Sequence, residues 1–137
     1  MREAVIVSYA RTGLAKSGRG GFNITPPMSM AAHAIKHAVE RAGVEKEYVE
    51  DCYLGNCAHG APNIGRQAAL LAGMPKSTGG VSVNRFCSSG LQTIAMAAYA
   101  HYQLVERAAV GLVGYLWFFE RMPRLLYPLW SESCRRG

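Results

Sequence analysis

The chain has 137 residues, of which 50% are hydrophobic and 18% charged, and its formal net charge is +6. This length suits about one domain, and the low charged fraction excludes an intrinsically disordered chain. The longest uncharged apolar run, residues 108–119, is shorter than the roughly 20 residues that a membrane helix needs, so we expect no membrane partner.

Strands and helices are predicted to alternate along the first hundred residues. The apolar patterns and turn residues predict strands at 3–9, 52–55 and 81–84, and helices at 28–42, at 64–72 and from Ser88 or Ser89 onward. Thr25 or Ser29 could cap the first helix, and Gly43 is a typical left-handed stop. This alternation predicts an α/β fold in layers, with a mostly parallel sheet.

The last part of the chain has a different composition. Residues 101–137 contain no Lys, Asp or Asn but hold both tryptophans, and their apolar runs fit no single element. We therefore expect two regions, 1–100 and an atypical segment at 101–137. A truncation or a change of reading frame would explain the shift in composition.

The basic residues and the cysteines narrow the classes of partner. The 15 Lys and Arg residues are scattered, without a run or a basic helix face carrying aromatics, so no nucleic-acid partner is predicted. The N-terminus shows no export-signal pattern, so we expect a cytoplasmic location and free thiols at Cys52, Cys57, Cys87 and Cys134.

Chemistry is most strongly indicated at residues 81–98, which read VSVNRFCSSGLQTIAMAA. A strand ends there, a short turn carries Cys87, and a helix starts at once. Backbone N–H groups at a helix N-terminus favour a thiolate and can hold a developing oxyanion. Gly90 would let the backbone approach closely. The residues alone also allow Cys87 to be a small, buried cysteine at a packed turn.

This segment resembles the active-cysteine motif of the thiolases, which runs N-x-x-C-x-S-G-L-x-A/T. Further segments resemble the N-terminal half of that family in order and spacing, at 5–13, 18–22, 28–42, 54–56 and 66–73. The resemblance implies a thiolase-like N-terminal half, incomplete, with Cys87 as the catalytic nucleophile. It also implies CoA or acyl-CoA as substrate, no bound cofactor or metal, and a homodimer or larger assembly.

The chain also departs from the family. A complete thiolase is more than twice as long, and its second half carries a Gly-His-Pro segment and a Cys-x-Gly-Gly segment that supply proton transfer. Neither segment occurs here, because His59 precedes Gly-Ala-Pro and Cys134 precedes Arg-Arg-Gly. We therefore expect a fragment, with the isolated chain inactive in turnover.

Two other functions stay open at this point. The chain could be a non-catalytic thiolase-fold fragment or structural partner. It could also be a cysteine hydrolase that pairs Cys87 with an imidazole. The candidate imidazoles are those of His33, His37, His59 and His101.

Metal and phosphate sites are not predicted. Cys52, Cys57 and His59 have no common zinc spacing, and His33 and His37 are interpreted as a solvated helix face. The glycines of 18–21 do not match a phosphate-binding motif and are interpreted as a loop.

Overall fold

The computed structural model describes residues 4–16, 18–57, 60–103, 108–112 and 116–120. For the last two ranges it describes the backbone. Within these ranges the elements are β1 (Ala4–Tyr9), α1 (Pro27–Ala42), β2 (Asp51–Gly55), α2 (Ile64–Leu71), β3 (Val81–Val83), α3 (Ser89–Tyr102), β4 (Ala108–Leu112) and β5 (Leu116–Glu120). No helix in the described ranges is long and apolar enough to cross a bilayer.

The five strands form one mixed sheet in the order β1-β5-β4-β2-β3. Strand β2 pairs in parallel with both β3 and β4. Strand β5 is antiparallel to β1 and to β4 and is therefore the one described strand that runs against the rest. This arrangement confirms the predicted α/β fold with a mostly parallel sheet.

The two faces of β2 are buried against different helices. Cys52 and Leu54 belong to a core cluster with α1 and α2, whereas Tyr53 packs with Ala97 of α3. Alternate residues of a strand point to opposite faces. The sheet therefore lies between a layer made by α1 and α2 and a layer made by α3.

Helix α1 begins and ends close to the predicted bounds, but its N-cap residue differs from the prediction. Pro27 occupies the first turn, where its missing N–H costs nothing, and Gly43 ends the helix with a φ of 65°. Neither Thr25 nor Ser29 caps it, because Pro26 occupies the N-cap position without a side-chain hydrogen bond. The proline pair thus sets the start of the helix in place of a polar cap.

Two strands lie in the segment for which the sequence predicted no element. Strand β4 sits between β2 and β5, so the backbone of 108–112 is internal to the sheet. A short strand with neighbours on both sides needs no alternating pattern, which explains why its periodicity was uninformative. Residues 121–137, with Cys134, lie outside the described residues, and the boundary at residue 100 stays a prediction.

Candidate active site

Cys87 lies where β3 leads into α3. A short 3₁₀ helix, Phe86–Ser88, follows β3 and runs directly into α3 at Ser89. The Cys87 thiol is free and exposed. The structure thus has the strand, turn and helix that the sequence predicted around this cysteine, and it excludes the buried alternative.

Side chains on both sides of Cys87 hold the turn in place. The Asn84 Oδ1 accepts a hydrogen bond of 3.0 Å from the Phe86 N–H, and the Ser88 hydroxyl donates to the Arg85 carbonyl at 2.9 Å. The Ser89 hydroxyl accepts from the Arg85 N–H at 2.9 Å and donates to the Phe86 carbonyl at 2.6 Å. Three positions before the thiol, Asn84 to Phe86, and two after it, Ser88 and Ser89, are therefore tied to one another.

Phe86 has an unusual backbone conformation for its residue type. Its φ is 47°, in the left-handed region, and its side chain is 76% exposed. A bulky residue with this φ carries a conformational cost, and such strain collects at functional sites. The side-chain hydrogen bonds of Asn84 and Ser89 to the Phe86 backbone maintain this conformation.

The carboxyl end of β2 lies directly against the first turn of α3. A Cβ atom placed on Gly55 would be 2.8 Å from the Gly90 nitrogen and 3.0 Å from the Gly90 Cα. The Asn56 N–H donates to the Val83 carbonyl at 2.9 Å, which continues the β2–β3 pairing past the last strand residue. The sequence predicted a close backbone approach at Gly90, but it did not identify Gly55 as the residue that approaches it.

The amide groups next to Cys87 are largely used within the turn. The N–H groups of Arg85 and Phe86 donate to side chains, and those of Ser88 and Ser89 donate to backbone carbonyls. Their main effect is to fix the position of the thiol. The sequence signal for this network was the Asn and Ser content of the turn, because both types cap nearby backbone groups.

The other cysteines have different surroundings. Cys52 lies in the core between the sheet and the α1–α2 layer, and burial, with a smaller contribution from Asp51, raises its pKa to about 12. Cys57 is exposed on the loop after β2. Buried thiols are inert and exposed ones accessible, so Cys57 and Cys87 are the two accessible thiols among the described residues.

The three histidines among the described residues do not gather around Cys87. His101 is fully buried near the C-terminal end of α3, and a helix of this length places it about 20 Å from Cys87. His33 and His37 lie on α1, in the layer on the other face of the sheet. His59 lies outside the described residues. A hydrolase pair of Cys87 with His33, His37 or His101 is therefore not supported.

The glycine loop at 18–21 gains no support as a phosphate site. The Gly18 N–H donates to the Asn23 Oδ1 and the Gly20 N–H to the Lys16 carbonyl, both at 2.7 Å, so this loop closes on itself. Among the described residues, no three His, Cys, Asp or Glu side chains form a group that could hold a metal ion.

The chain matches one protein family over most of its length. The profile of the thiolase N-terminal domain covers residues 4–114. The 3-ketoacyl-CoA thiolase of Bacillus subtilis is 40% identical over 101 residues, which are 72% of this chain and 26% of that protein. The mitochondrial acetyl-CoA acetyltransferase of Homo sapiens is 40% identical over 102 residues, 72% of this chain and 23% of that protein.

Solved structures give the same result. The Bacillus anthracis acetyl-CoA acetyltransferase superposes with a TM-score of 0.77 at 34% identity, covering 81% of this chain and 28% of that one. The Acat5 thiolase of Ascaris suum, solved in complex with coenzyme A, gives 0.74 at 29% identity, covering 79% and 28%. The chain thus spans about a quarter of the length of the relatives it matches. On sequence and on fold, it belongs to the thiolase family.

Proposed function

We propose that this chain carries the nucleophile of a thiolase-type acyltransferase, with Cys87 holding the acyl group between two CoA thioesters. The observation that carries the proposal is the position of Cys87. Its thiol is exposed, in a turn that side-chain hydrogen bonds hold at the start of α3. The turn lies within a segment that matches the thiolase N-terminal domain. Such a turn presents a nucleophile at the edge of a sheet.

The proposed reaction proceeds in two steps. The Cys87 thiolate adds to the keto carbon of a 3-ketoacyl-CoA, and the bond between that carbon and the α-carbon breaks. The acetyl-CoA carbanion takes up a proton and leaves, so the acyl group remains on the sulfur as a thioester. A second CoA thiol then gives up its proton, attacks this thioester and releases acyl-CoA and the Cys87 thiolate. The reverse sequence condenses two acyl-CoA units.

CoA is proposed as a substrate, without a bound prosthetic group or metal. One structural relative was solved with coenzyme A, which supports this class of ligand. We also propose a homodimer or larger assembly for the whole protein. Transfer of an acyl group to Cys87 can be measured independently of the strength of substrate binding.

The test is acylation of the thiol by acetyl-CoA, which yields an acetyl thioester on the protein and free CoA. We expect intact-mass measurement and peptide mapping to find the acetyl group on Cys87. The Cys87→Ser variant should stay unmodified, whereas Cys57→Ser, the matched change at the other accessible thiol of the described residues, should acylate like the parent chain. Equal acetylation of Cys57 and Cys87, or none at Cys87, would contradict the proposal.

A second candidate is a thiolase-fold piece that does not turn over. It is favoured by the absence of His33, His37 and His101 from the surroundings of Cys87 and by the share of the relatives that the chain spans. The two candidates differ in one measurement. Acylation of Cys87 followed by transfer to added CoA supports the transferase, and a thioester that persists in excess CoA supports the inert piece.

A further inference from the structure

Two imidazoles lie one above the other on the outer side of α1. His33 and His37 are four residues apart, which places them on the same face of the helix. Their ring centroids are 4.4 Å apart and the rings are inclined at 64°. The two side chains are therefore neighbours at one solvent-accessible spot.

A carboxylate engages one of the two rings. The Glu40 Oε2 lies 3.4 Å from the His37 Nδ1, and its Oε1 lies 4.0 Å from the Lys36 Nζ. A carboxylate at Nδ1 leaves the opposite nitrogen, Nε2, free to bind a ligand. In metal sites such a carboxylate orients the imidazole and makes it a better donor.

The helix that carries these rings is fixed to the rest of the molecule. Its inner side, with Ala34, Ile35 and Ala38, is buried in the core. The Ser8 hydroxyl donates to the Ala38 carbonyl at 2.7 Å, and the Arg41 guanidinium donates to the Tyr9 carbonyl at 2.8 Å. A rigid helix keeps both imidazoles close, so binding at one brings the ion within reach of the other.

We propose that His33 and His37 form a two-imidazole site for a divalent transition-metal ion, with Glu40 orienting His37 and water completing the coordination. Neutral imidazole suits zinc, copper and nickel, and copper binds more tightly than nickel at a given site. Because α1 and α3 lie on opposite faces of the sheet, this site is separate from Cys87. It depends on neither the proposed transferase nor its substrate.

The test is a calorimetric titration of the untagged 137-residue chain with Ni²⁺ and, separately, with Cu²⁺. The Cys57→Ser/Cys87→Ser/Cys134→Ser background removes as competing ligands the two accessible thiols of the described residues and the one cysteine outside them. We expect one ion per chain, and His33→Gln or His37→Gln should weaken binding about tenfold or more, since each removes one of two linked donors. Glu40→Gln should weaken binding about tenfold.

His59→Gln is the matched control, because it removes one imidazole that does not belong to the α1 segment Pro27–Ala42, and its affinity should equal that of the parent. A second readout is thermal unfolding, since an ion that binds only the folded helix raises the Tm. The Tm increase should persist in His59→Gln and vanish in His33→Gln. Unchanged binding in both His33→Gln and His37→Gln, or equal loss in His59→Gln, would overturn the site.

Discussion

Cys52 and Cys87 carry the same thiol in opposite surroundings. Cys52 points from β2 into the core between the sheet and the α1–α2 layer, where a charged sulfur would have no solvent. Cys87 stands exposed at the start of α3, within a turn held by Asn84 and Ser89. The chemistry available to each cysteine is therefore decided by burial within a strand for Cys52 and by exposure at a turn for Cys87.

Limiting iodoacetamide at neutral pH should distinguish these thiols. We expect Cys87 to be labelled first and Cys57 second, because thiols at helix N-termini are more reactive. Cys52 should stay unlabelled in the folded chain, since it is 1% exposed and its raised pKa keeps it protonated. Peptide mapping measures all three. Early labelling of Cys52, or of Cys57 ahead of Cys87, would refute the assignment.

Cys52 should also make the stability depend on alkaline pH. Its pKa rises from 9.0 to about 12 on folding, mainly through burial. Below pH 9 the thiol is protonated in both states and has no effect. Above pH 9 the unfolded chain loses the proton first, so the free energy of unfolding falls as pH rises towards 12, by at most about 1.4 kcal/mol per pH unit.

Urea denaturation at several pH values from 8 to 11 measures this dependence. Cys52→Ala is the comparison, because it removes the thiol while Tyr and Lys titrations remain in both proteins. We expect the variant to be less stable at pH 8 and to lose less stability as pH rises. Parallel pH curves for the two proteins would show that Cys52 does not contribute.

At the scale of elements, the candidate site depends on contact between β2 and α3. Gly55 ends β2 and pairs with Val83 of β3, and the backbone of Gly90 lies against it. Since α3 follows the turn that carries Cys87, the position of its first turn sets the position of the thiol. A change at Gly55 should therefore affect both stability and the reactivity of Cys87.

Gly55→Ala should destabilise the chain by about 1–3 kcal/mol, because overpacking against fixed backbone is costly. The new Cβ would meet the Gly90 nitrogen at 2.8 Å. Gly21→Ala is the control, since a Cβ at that loop position has no atom within 4 Å. Urea denaturation and the labelling rate of Cys87 report the effect. Equal stability of the two variants would contradict the close approach.

Much of this element-level arrangement was predictable. Local residue types predicted a strand at 81–84, a turn and a helix start at Ser88 or Ser89, and the structure has the strand at Val81–Val83 and the helix start at Ser89. The alternation of elements predicted the mostly parallel sheet. The contact between Gly55 and Gly90 was not predictable, because it joins residues far apart in sequence. The left-handed φ of Phe86 was also unforeseen, since a bulky residue rarely adopts it and only its neighbours' hydrogen bonds maintain it.

At the scale of the whole molecule, α3 leaves an apolar side uncovered. Leu91, Ala95, Tyr99 and Tyr102 share one face at helical spacing, and Leu91 and Tyr99 are 68% and 65% exposed. The helix contains no Asp, Glu, Lys or Arg. Exposed apolar faces of this kind associate in water. This face lies on the side of α3 opposite Ala97, which packs against Tyr53 of the sheet.

The chain should therefore self-associate at micromolar concentrations, and size exclusion with light scattering measures it. Leu91→Glu should shift the population towards monomer by placing a charge within the apolar face. Leu14→Glu is matched, because Leu14 is also exposed but lies on the loop after β1, and it should leave association unchanged. A monomeric parent chain would contradict the prediction.

The 137-residue chain, assayed by itself, should not catalyse thiolysis at the rate of the Bacillus subtilis relative. His101 is buried about 20 Å from Cys87, and His33 and His37 lie on the other face of the sheet, so none of them can exchange a proton with the thiol. General acid–base groups each contribute about 10²–10⁴-fold to a reaction rate. The Gly-His-Pro and Cys-x-Gly-Gly segments, which supply proton transfer in the thiolases, do not occur in this chain. Its turnover should therefore be at least about a thousandfold lower than that of the relative.

Cleavage of acetoacetyl-CoA in the presence of CoA, followed through loss of the enolate absorbance, is the measurement. Raising the substrate concentration should not restore the rate, because the chain lacks groups for proton transfer and a higher occupancy by substrate does not replace them. The Cys87→Ser variant fixes the background, and the relative run in parallel fixes the scale. Turnover close to that of the relative, abolished by Cys87→Ser, would mean that a group outside the described residues completes the site.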